Sequence, residues 1–134
     1  KFLKSIPSLK VLKEKISSAL SKRNYLKGLD GRELSIRSEH SALNTLLQSA
    51  GAVVMKKATV ILYDKLVALG LAPNEDFSFV AHVHDEFQIE CWPEVADKIK
   101  EMAEASITEA GEAFNFRCPL DGEAKSGMTW ADTH

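Results

Sequence analysis

The sequence has few of the residues that would place it outside the ordinary globular proteins. Among its 134 residues there are only two cysteines, Cys91 and Cys118. Two thiols form neither a disulfide framework nor a zinc-binding set, and they suit a reducing compartment. No uninterrupted apolar run approaches the ~20 residues that a membrane-spanning helix needs, and no secretory leader is recognisable. We therefore expect a cytoplasmic protein with no membrane partner.

The composition is that of one ordinary globular domain. The hydrophobic fraction is 45% and the charged fraction is 27%, and these values exclude disordered and collagen-like chains. The sequence opens with Lys1-Phe2-Leu3, in the middle of an apolar pattern and without a methionine. This opening leads us to expect a piece of a longer protein. No repeat, low-complexity segment or domain linker divides it.

Charge is distributed unevenly, although the formal net charge is only −2. Residues 1–27 carry eight basic side chains and one acidic side chain, a net charge of +7, whereas the remaining 107 residues carry nine basic and 18 acidic side chains, a net charge of −9. A basic block on an acidic chain is typical of a protein that binds a polyanion. A solvated helix face has the same composition, and charge alone favours that interpretation.

The hydrophobic pattern predicts an α+β fold, with an antiparallel β-sheet packed against long α-helices. We divide the chain into a basic helix plus hairpin (residues 1–37), a long helix (38–70) and a segment with a second hairpin, a helix and a terminal strand (77–134). The long helix would follow an N-cap at Ser38 and stop at Gly70. It would measure about 45 Å, which is more than a piece of this size can bury alone.

The turn and cap signals set the other expected boundaries. The predicted elements are a helix at 8–22 behind Pro7, a tight hairpin at 25–36 that turns at Asp30-Gly31, strands at 77–83 and 87–91, a helix from Pro93 to Gly111, a strand within 114–125 and an irregular end.

The polar turn between the two later strands is the first candidate site. His84, Asp85 and Glu86 follow Val83 at a predicted hairpin tip. Two adjacent carboxylates at a strand end favour a hard divalent cation such as Mg²⁺, which binds carboxylate oxygens and keeps positions open for substrate phosphates. An ordinary solvated turn with a hydrogen-bonded aspartate explains the same residues equally well.

The front of the long helix is the second candidate site. Asn44, Gln48 and Gly51 are spaced i, i+4 and i+7, so they form one stripe opposite the leucines. Two amides beside a glycine suit the minor groove of a nucleic acid, where every base pair presents hydrogen-bond acceptors. Arg37 and His40, at the entrance of the helix, are within reach of a phosphate. A polar helix face with a packing glycine is the simpler interpretation of the stripe alone.

The order of these segments is more specific than either site. Residues 38–52 (Ser-Glu-His-Ser-Ala-Leu-Asn-Thr-Leu-Leu-Gln-Ser-Ala-Gly-Ala), 83–86 (Val-His-Asp-Glu) and 130–134 (Trp-Ala-Asp-Thr-His) together resemble the C-terminal palm region of family A, polymerase I-like DNA polymerases. The sequence of these motifs is most similar to that of podophage replicative polymerases. The resemblance covers essentially the whole chain.

The resemblance implies a DNA-directed DNA polymerase that adds dNTPs to a primer 3′-hydroxyl by two-metal phosphoryl transfer. It implies that Asp85 is catalytic and binds Mg²⁺, and that Glu86 is catalytic by adjusting the field around the metal. It also implies that His84 contacts the backbone of the primer terminus.

The same resemblance assigns DNA contacts to the long helix. It implies that Asn44 and Gln48 line the minor groove at the nascent base pair. It implies that Arg37 and His40 steady template or primer phosphates.

Members of the family also carry an upstream aspartate motif and a fingers helix that ends in Tyr-Gly. This sequence has neither motif. Its two tyrosines, Tyr25 and Tyr63, are followed by leucine and aspartate and not by glycine. We therefore expect a C-terminal palm fragment, from a truncated or a split polymerase, that is inactive alone. Its expected partners are primer-template DNA, dNTP and the remainder of the polymerase (fingers, thumb and upstream palm), and self-association of the fragment stays open.

Two other functions remain open at this stage. One is a small metal-dependent hydrolase that uses His82, His84, Asp85 and Glu86. The other is a non-catalytic DNA-binding module, which the basic block of residues 1–27 supports.

Overall fold

The computed structural model describes residues 6–133. Two lysines of the basic block, Lys1 and Lys4, and the final His134 lie outside the described residues. The elements are α1 (Pro7–Leu20), β1 (Tyr25–Lys27), β2 (Glu33–Ser35), α2 (Glu39–Ala68), β3 (Phe77–Val83), β4 (Glu86–Cys91), α3 (Pro93–Ala113) and α4 (Trp130–Thr133). The predicted α+β class is confirmed. Its strands form two separate two-stranded antiparallel sheets, β1–β2 and β3–β4.

The chain divides into two compact units, the first ending at Val53 and the second beginning at Val54. The boundary falls within α2. Each unit contains one hairpin and its own hydrophobic cluster.

The first unit is built around α1, the β1–β2 hairpin and the beginning of α2. Ile16, Leu26 and Ala42 are buried at its centre, one from each of these three elements. The partly buried residues around them are Leu12, Ala19, Leu20, Ile36, Leu43 and Leu46. The apolar residues of α1 that predicted an amphipathic helix thus form the face that packs in this cluster.

The second unit places the β3–β4 hairpin against helices. Its buried cluster consists of Leu62 and Leu66 from α2, Phe77 from β3, and Ile99 and Ala103 from α3. Alternate strand residues complete the packing, because residues two apart in a strand lie on one face. They are Phe79 in β3 and Phe87, Ile89 and Cys91 in β4. The inner face of the hairpin is therefore fixed by the core, and its far end extends beyond it.

Most predicted helix boundaries are confirmed. Proline occupies the first turn of α1 and of α3, where its missing N–H costs no helical hydrogen bond. Gly70 has φ +86°, and its N–H and that of Leu71 donate to the carbonyl oxygens of Val67 and Leu66 at 2.9 and 3.1 Å. This pair of bonds is the Schellman arrangement that ends a helix.

The prediction that Gly111 ends α3 is wrong. The helix continues to Ala113, and Asn115, with φ +54°, takes the left-handed position that follows the end. Gly111 is buried because the side chain of Leu120 packs on it: a Cβ at Gly111 would lie 2.9 Å from Leu120 Cγ. The glycine serves close packing, which a sequence pattern does not distinguish from a helix stop.

The strand predicted within residues 114–125 is also wrong, since the structure gives that segment no strand. The segment lies along α3 instead and forms hydrogen bonds with its side chains. Thr108 Oγ1 donates to the Leu120 carbonyl at 3.0 Å, and the Ala124 N–H donates to Glu104 Oε1 at 3.0 Å. Backbone polar groups that a neighbouring strand would have paired are thus paired by a helix. The expected irregular end contains the short helix α4.

Helix α2 is apolar on more than one face. Its best 18-residue window has a mean hydropathy of 1.2, so by length and composition it passes the test for a membrane-spanning helix, although no uninterrupted apolar run of that length exists. Core helices of soluble proteins pass the same test, which makes a single such helix weak evidence. Several of its large apolar side chains are exposed in the described chain: Leu47, Val60, Tyr63 and Val67.

Candidate functional site: a carboxylate hairpin tip and an amide stripe

The β3–β4 hairpin ends in a two-residue loop, His84-Asp85, between the paired residues Val83 and Glu86. The register shifts between Phe79 and Ala81, because Val80 is an extra residue in β3. A bulge of this kind changes which residues reach the end of a hairpin. Without the bulge, the register that begins with the Phe77–Cys91 pair would place His84 alone at the centre of the turn. With the bulge, Val83 pairs with Glu86, and His84 and Asp85 form the loop.

His84 adopts a left-handed backbone conformation, with φ +53°. Residues other than glycine, asparagine, aspartate and histidine rarely do so, and any Cβ in this conformation approaches the following carbonyl oxygen at a cost of about 1–2 kcal/mol. A sequence selected only for a stable turn would have glycine here. A histidine in this position is therefore consistent with a functional use of its side chain.

The Asp85 carboxylate is exposed and has no hydrogen-bond or ion-pair partner among residues 6–133. The next residue, Glu86, is half-buried, and its Oε1 accepts a hydrogen bond from Gln88 Nε2 at 2.5 Å. The turn thus presents one unconstrained carboxylate beside one that is oriented by a neighbour. Hard oxygen donors of this type suit Mg²⁺.

The hydrolase hypothesis gains no support from the structure. Within residues 6–133, no group of three or more His, Cys, Asp or Glu side chains is arranged to hold a metal ion. His82, one of its expected ligands, is stacked on the Phe87 ring with 6.4 Å between centroids and 11° between planes. Packing on the neighbouring strand accounts for this histidine without a metal.

The beginning of α2 carries the second group of predicted residues. His40, Asn44, Gln48 and Gly51 are all exposed, and their spacing of four, four and three residues places them on one helix face. A Cβ added at Gly51 would meet no atom within 4 Å. The predicted stripe is therefore solvent-accessible, and the glycine leaves space beside the two amides.

The expectation that the leucines of α2 lie opposite the amides is wrong for Leu47. Its side chain is 58% exposed, whereas Leu43 and Leu46 pack on the cluster of the first unit. A residue three positions after Asn44 and one before Gln48 lies on the same face as the amides. The spacing places Leu47 beside the amides, but it does not tell which of the neighbouring leucines the core accommodates.

Arg37 is exposed just before α2 and lines an open cavity of about 360 Å³. The Ser38 hydroxyl accepts a hydrogen bond from the Ser41 N–H at 3.4 Å, as expected of an N-cap. The other residues lining the cavity are Ser17, Leu20, Ser21, Asn24, Ile36 and Glu39.

The basic residues at the end of α1 line a second open groove, of about 500 Å³. Lys15, Lys22 and Arg23 surround it, and Glu14 lies among them. The Arg23 guanidinium lies 4.8 Å from the centre of the Tyr25 ring, a cation–π distance. Part of the basic block is thus an accessible surface, and part is engaged by the protein itself.

The sequence is similar to those of known DNA polymerases. Residues 1–132 match the model of DNA polymerase family A. Over the whole chain the sequence is 40% identical to the DNA-directed DNA polymerases of Enterobacteria phage T3 and Escherichia phage T7, of which it covers 21%. It is 29% identical to DNA polymerase I of Aquifex aeolicus over 97% of the chain and 22% of that protein.

The chain spans about a fifth of the length of these curated relatives. The family match, by contrast, leaves only the last two residues uncovered. The chain belongs to DNA polymerase family A.

Proposed function

We propose that this chain forms the C-terminal part of the palm of a DNA-directed DNA polymerase, which extends a DNA primer with dNTPs in the cytoplasm of its host cell. Family membership and the printed names of the phage relatives support this function. Because the chain spans a fifth of those relatives, the rest of the polymerase (fingers, thumb and upstream palm) is its proposed partner.

The exposed tip of the β3–β4 hairpin carries the proposal. Phe77 at the base of the hairpin is buried in the core, and Phe79 and Phe87 pack against the same cluster, so the tip extends from an anchored strand pair. The Asp85 carboxylate projects from this anchored strand pair without a protein partner among the described residues. A strand pair anchored at its base that ends in an exposed, unneutralised carboxylate is suitable for binding a cation.

Asp85 is the residue we propose as the Mg²⁺ ligand, together with a carboxylate from the remainder of the polymerase. When bound, Mg²⁺ supplies charge neutralisation for the triphosphate and activates the primer hydroxyl. Glu86 adjusts the field at this position, and its hydrogen bond with Gln88 fixes the direction of the carboxylate. Its half-buried position agrees with this indirect role.

The other predicted residues are proposed to bind DNA. His84 contacts the backbone of the primer terminus from its exposed position on the turn. Arg37 and His40 provide cationic or hydrogen-bonding groups for phosphates. Asn44 and Gln48 donate to base acceptors in the minor groove, which are present at every base pair.

The decisive experiment replaces Asp85 by asparagine in the polymerase that contains this sequence. The substitution keeps the shape of the side chain and removes its charge, so single-turnover primer extension should fall by about 10³-fold or more. The affinity for primer-template DNA should change by less than about threefold. A loss of extension below about tenfold would contradict the metal assignment.

A second experiment uses the 134-residue chain by itself with primer-template DNA, dNTPs and Mg²⁺. We expect no extension, because one pair of carboxylates binds Mg²⁺ only weakly. The ion keeps most of its water ligands when no other ligand replaces them. Robust extension by the purified chain would show that the other palm carboxylate is not needed.

A further inference from the structure

Helix α2 has an unusual distribution of charge for this acidic protein. From His40 to Tyr63 it contains 24 consecutive residues without a carboxylate, although 19 of the 134 residues in the chain are Asp or Glu. Lys56 and Lys57 are the basic residues in the same stretch, both exposed. A surface that contacts phosphate backbones has to avoid negative charge. Because Lys56 and Lys57 lie about 130° around the helix from the centre of the amide stripe, the feature of the stripe that suits DNA is its lack of negative charge.

Leu47 lies in the middle of the exposed amide stripe. Its side chain is 58% exposed, and Asn44, Gln48 and Gly51 surround it at spacings of three, one and four residues. All four positions fall within about 100° of the helix circumference. A large apolar side chain among two amides and a glycine has no packing role in the described part of the chain.

A minor groove offers a specific partner for an apolar side chain in this position. The edges of the base pairs present hydrogen-bond acceptors, which match the amides. The walls of the groove are sugars, and in DNA these are deoxyriboses with an apolar C2′. Proteins that bind the minor groove frequently combine polar readers with apolar side chains. The 2′-hydroxyl is the group by which a protein distinguishes RNA from DNA at such a site.

We propose that Leu47 contacts a deoxyribose in the primer-template duplex and makes the polymerase sensitive to a 2′-hydroxyl at that sugar. This rests on the proposed function, since it requires Asn44 and Gln48 to face the minor groove. A 2′-hydroxyl at the contacted sugar would lose its water against the leucine methyl groups without gaining a hydrogen bond. Leu47 is thus a specificity-determining residue for the duplex, distinct from the residues that bind the incoming nucleotide.

The test compares Leu47→Ala with the unaltered polymerase on primer-templates that carry a single ribonucleotide. The ribonucleotide is placed in turn at each of the last four base pairs, in either strand. We expect one position to reduce kcat/KM by about tenfold in the unaltered enzyme. In Leu47→Ala that penalty should fall to about twofold, while extension of the all-DNA duplex drops by about 3- to 10-fold.

Three further variants control this comparison. Val60→Ala removes a similarly exposed apolar group, 53% exposed on the same helix, and should retain the full ribonucleotide penalty. Leu47→Met keeps an apolar contact of similar volume and should also retain it. Gln48→Ala should lower extension by about tenfold on every duplex. Thermal unfolding of each variant, which should stay within about 2 °C of the parent because surface substitutions act weakly, excludes a folding defect.

The outcomes separate this inference from the function on which it rests. If Gln48→Ala impairs extension and the ribonucleotide penalty in Leu47→Ala is unchanged, Leu47 does not contact the sugar and the inference is overturned. An equal loss on DNA and on ribonucleotide-containing duplexes also overturns it, because that result places Leu47 against protein. If neither Gln48→Ala nor Leu47→Ala affects extension, the minor-groove assignment itself fails.

Discussion

The two hairpins of this protein each carry an exposed aspartate at or near the turn, and the two aspartates differ in loop length and in whether a partner binds the carboxylate. In the β1–β2 hairpin, Asp30 lies in a five-residue loop, and Arg32 binds its carboxylate through Nε and Nη2, both at 2.6 Å. In the β3–β4 hairpin, Asp85 lies in a two-residue loop and has no partner among residues 6–133.

The difference separates an aspartate that is paired within its own loop from one that we propose to bind a metal ion. The hydrogen bond from Arg32 holds the pKa of Asp30 below its ordinary value near 3.8, so this carboxylate is fully used within its own loop. Gly31, with φ +83°, accommodates the turn there. The second turn has neither a neutralising arginine nor a glycine. Under the proposed function, the exposed charge of Asp85 is available to a metal ion.

The strongest test of this contrast pairs Asp30→Asn with the Asp85→Asn substitution in the polymerase. Asp30→Asn should leave single-turnover extension within about twofold, because its charge is already neutralised by Arg32, whereas Asp85→Asn should cost about 10³-fold, which corresponds to ~4 kcal/mol. Rapid-quench primer extension measures both. Comparable losses in the two variants would remove the distinction between the turns.

A second test concerns the packing of the segment after α3, in the unit that contains the later hairpin. Gly111→Ala should lower the free energy of unfolding by about 1–2 kcal/mol, because the new methyl group displaces Leu120. The matched control is Gly51→Ala, where a Cβ meets open space and the higher helix propensity of alanine should raise it by about 0.5–1 kcal/mol. Urea unfolding of the variants would show the opposite signs. Destabilisation by both would mean that packing at Leu120 is not the cause.

A third test measures the strain at the later turn. His84→Gly should raise the free energy of unfolding by about 0.5–1 kcal/mol, since glycine adopts φ +53° without a Cβ clash. Primer extension should fall at the same time if the imidazole contacts the primer. Thermal unfolding and steady-state kinetics of one preparation give both values. A less stable His84→Gly protein would argue that the histidine packs within the hairpin.

The smallest expected effect is at the earlier turn. Because Arg32 lowers the folded-state pKa of Asp30, the pair contributes stability above pH 3.8, the ordinary pKa, and this contribution disappears as the pH falls through the lowered value. Arg32→Ala should return the Asp30 pKa towards 3.8 and remove that part of the acid sensitivity. Carboxyl NMR titration follows it directly, and an unchanged pKa would show that Arg32 is not its cause.

Local signals in the sequence predicted most of the secondary structure. Proline at Pro7 and Pro93 and glycine at Gly70 act through the backbone of their own residue, so their consequences do not depend on the rest of the fold. The prediction that Gly111 ends α3 did not hold, because the environment of that glycine is set by Leu120, nine residues away. The segment after α3 was predicted as a strand, and this prediction failed for the same reason. Its backbone is hydrogen-bonded by side chains of a helix and not by a neighbouring strand.

The candidate site shows the same division. The sequence placed the carboxylates at a turn and the amides on one helix face, since both follow from strand and helix periodicity. It did not show that Val80 is an extra residue whose bulge brings His84 and Asp85 to the tip. Nor did it show that Leu47 faces outward, because apolar character alone does not reveal which leucines the core accommodates.

The amino-acid order by itself determined most of the elements and their ends, and the family to which the chain belongs, because these depend on neighbouring residues and on shared sequence motifs. Only the folded molecule decided which of two turn aspartates is neutralised and which leucine is left in solvent. Neutralisation and burial require groups that are brought together through space, and no periodicity along the chain specifies them.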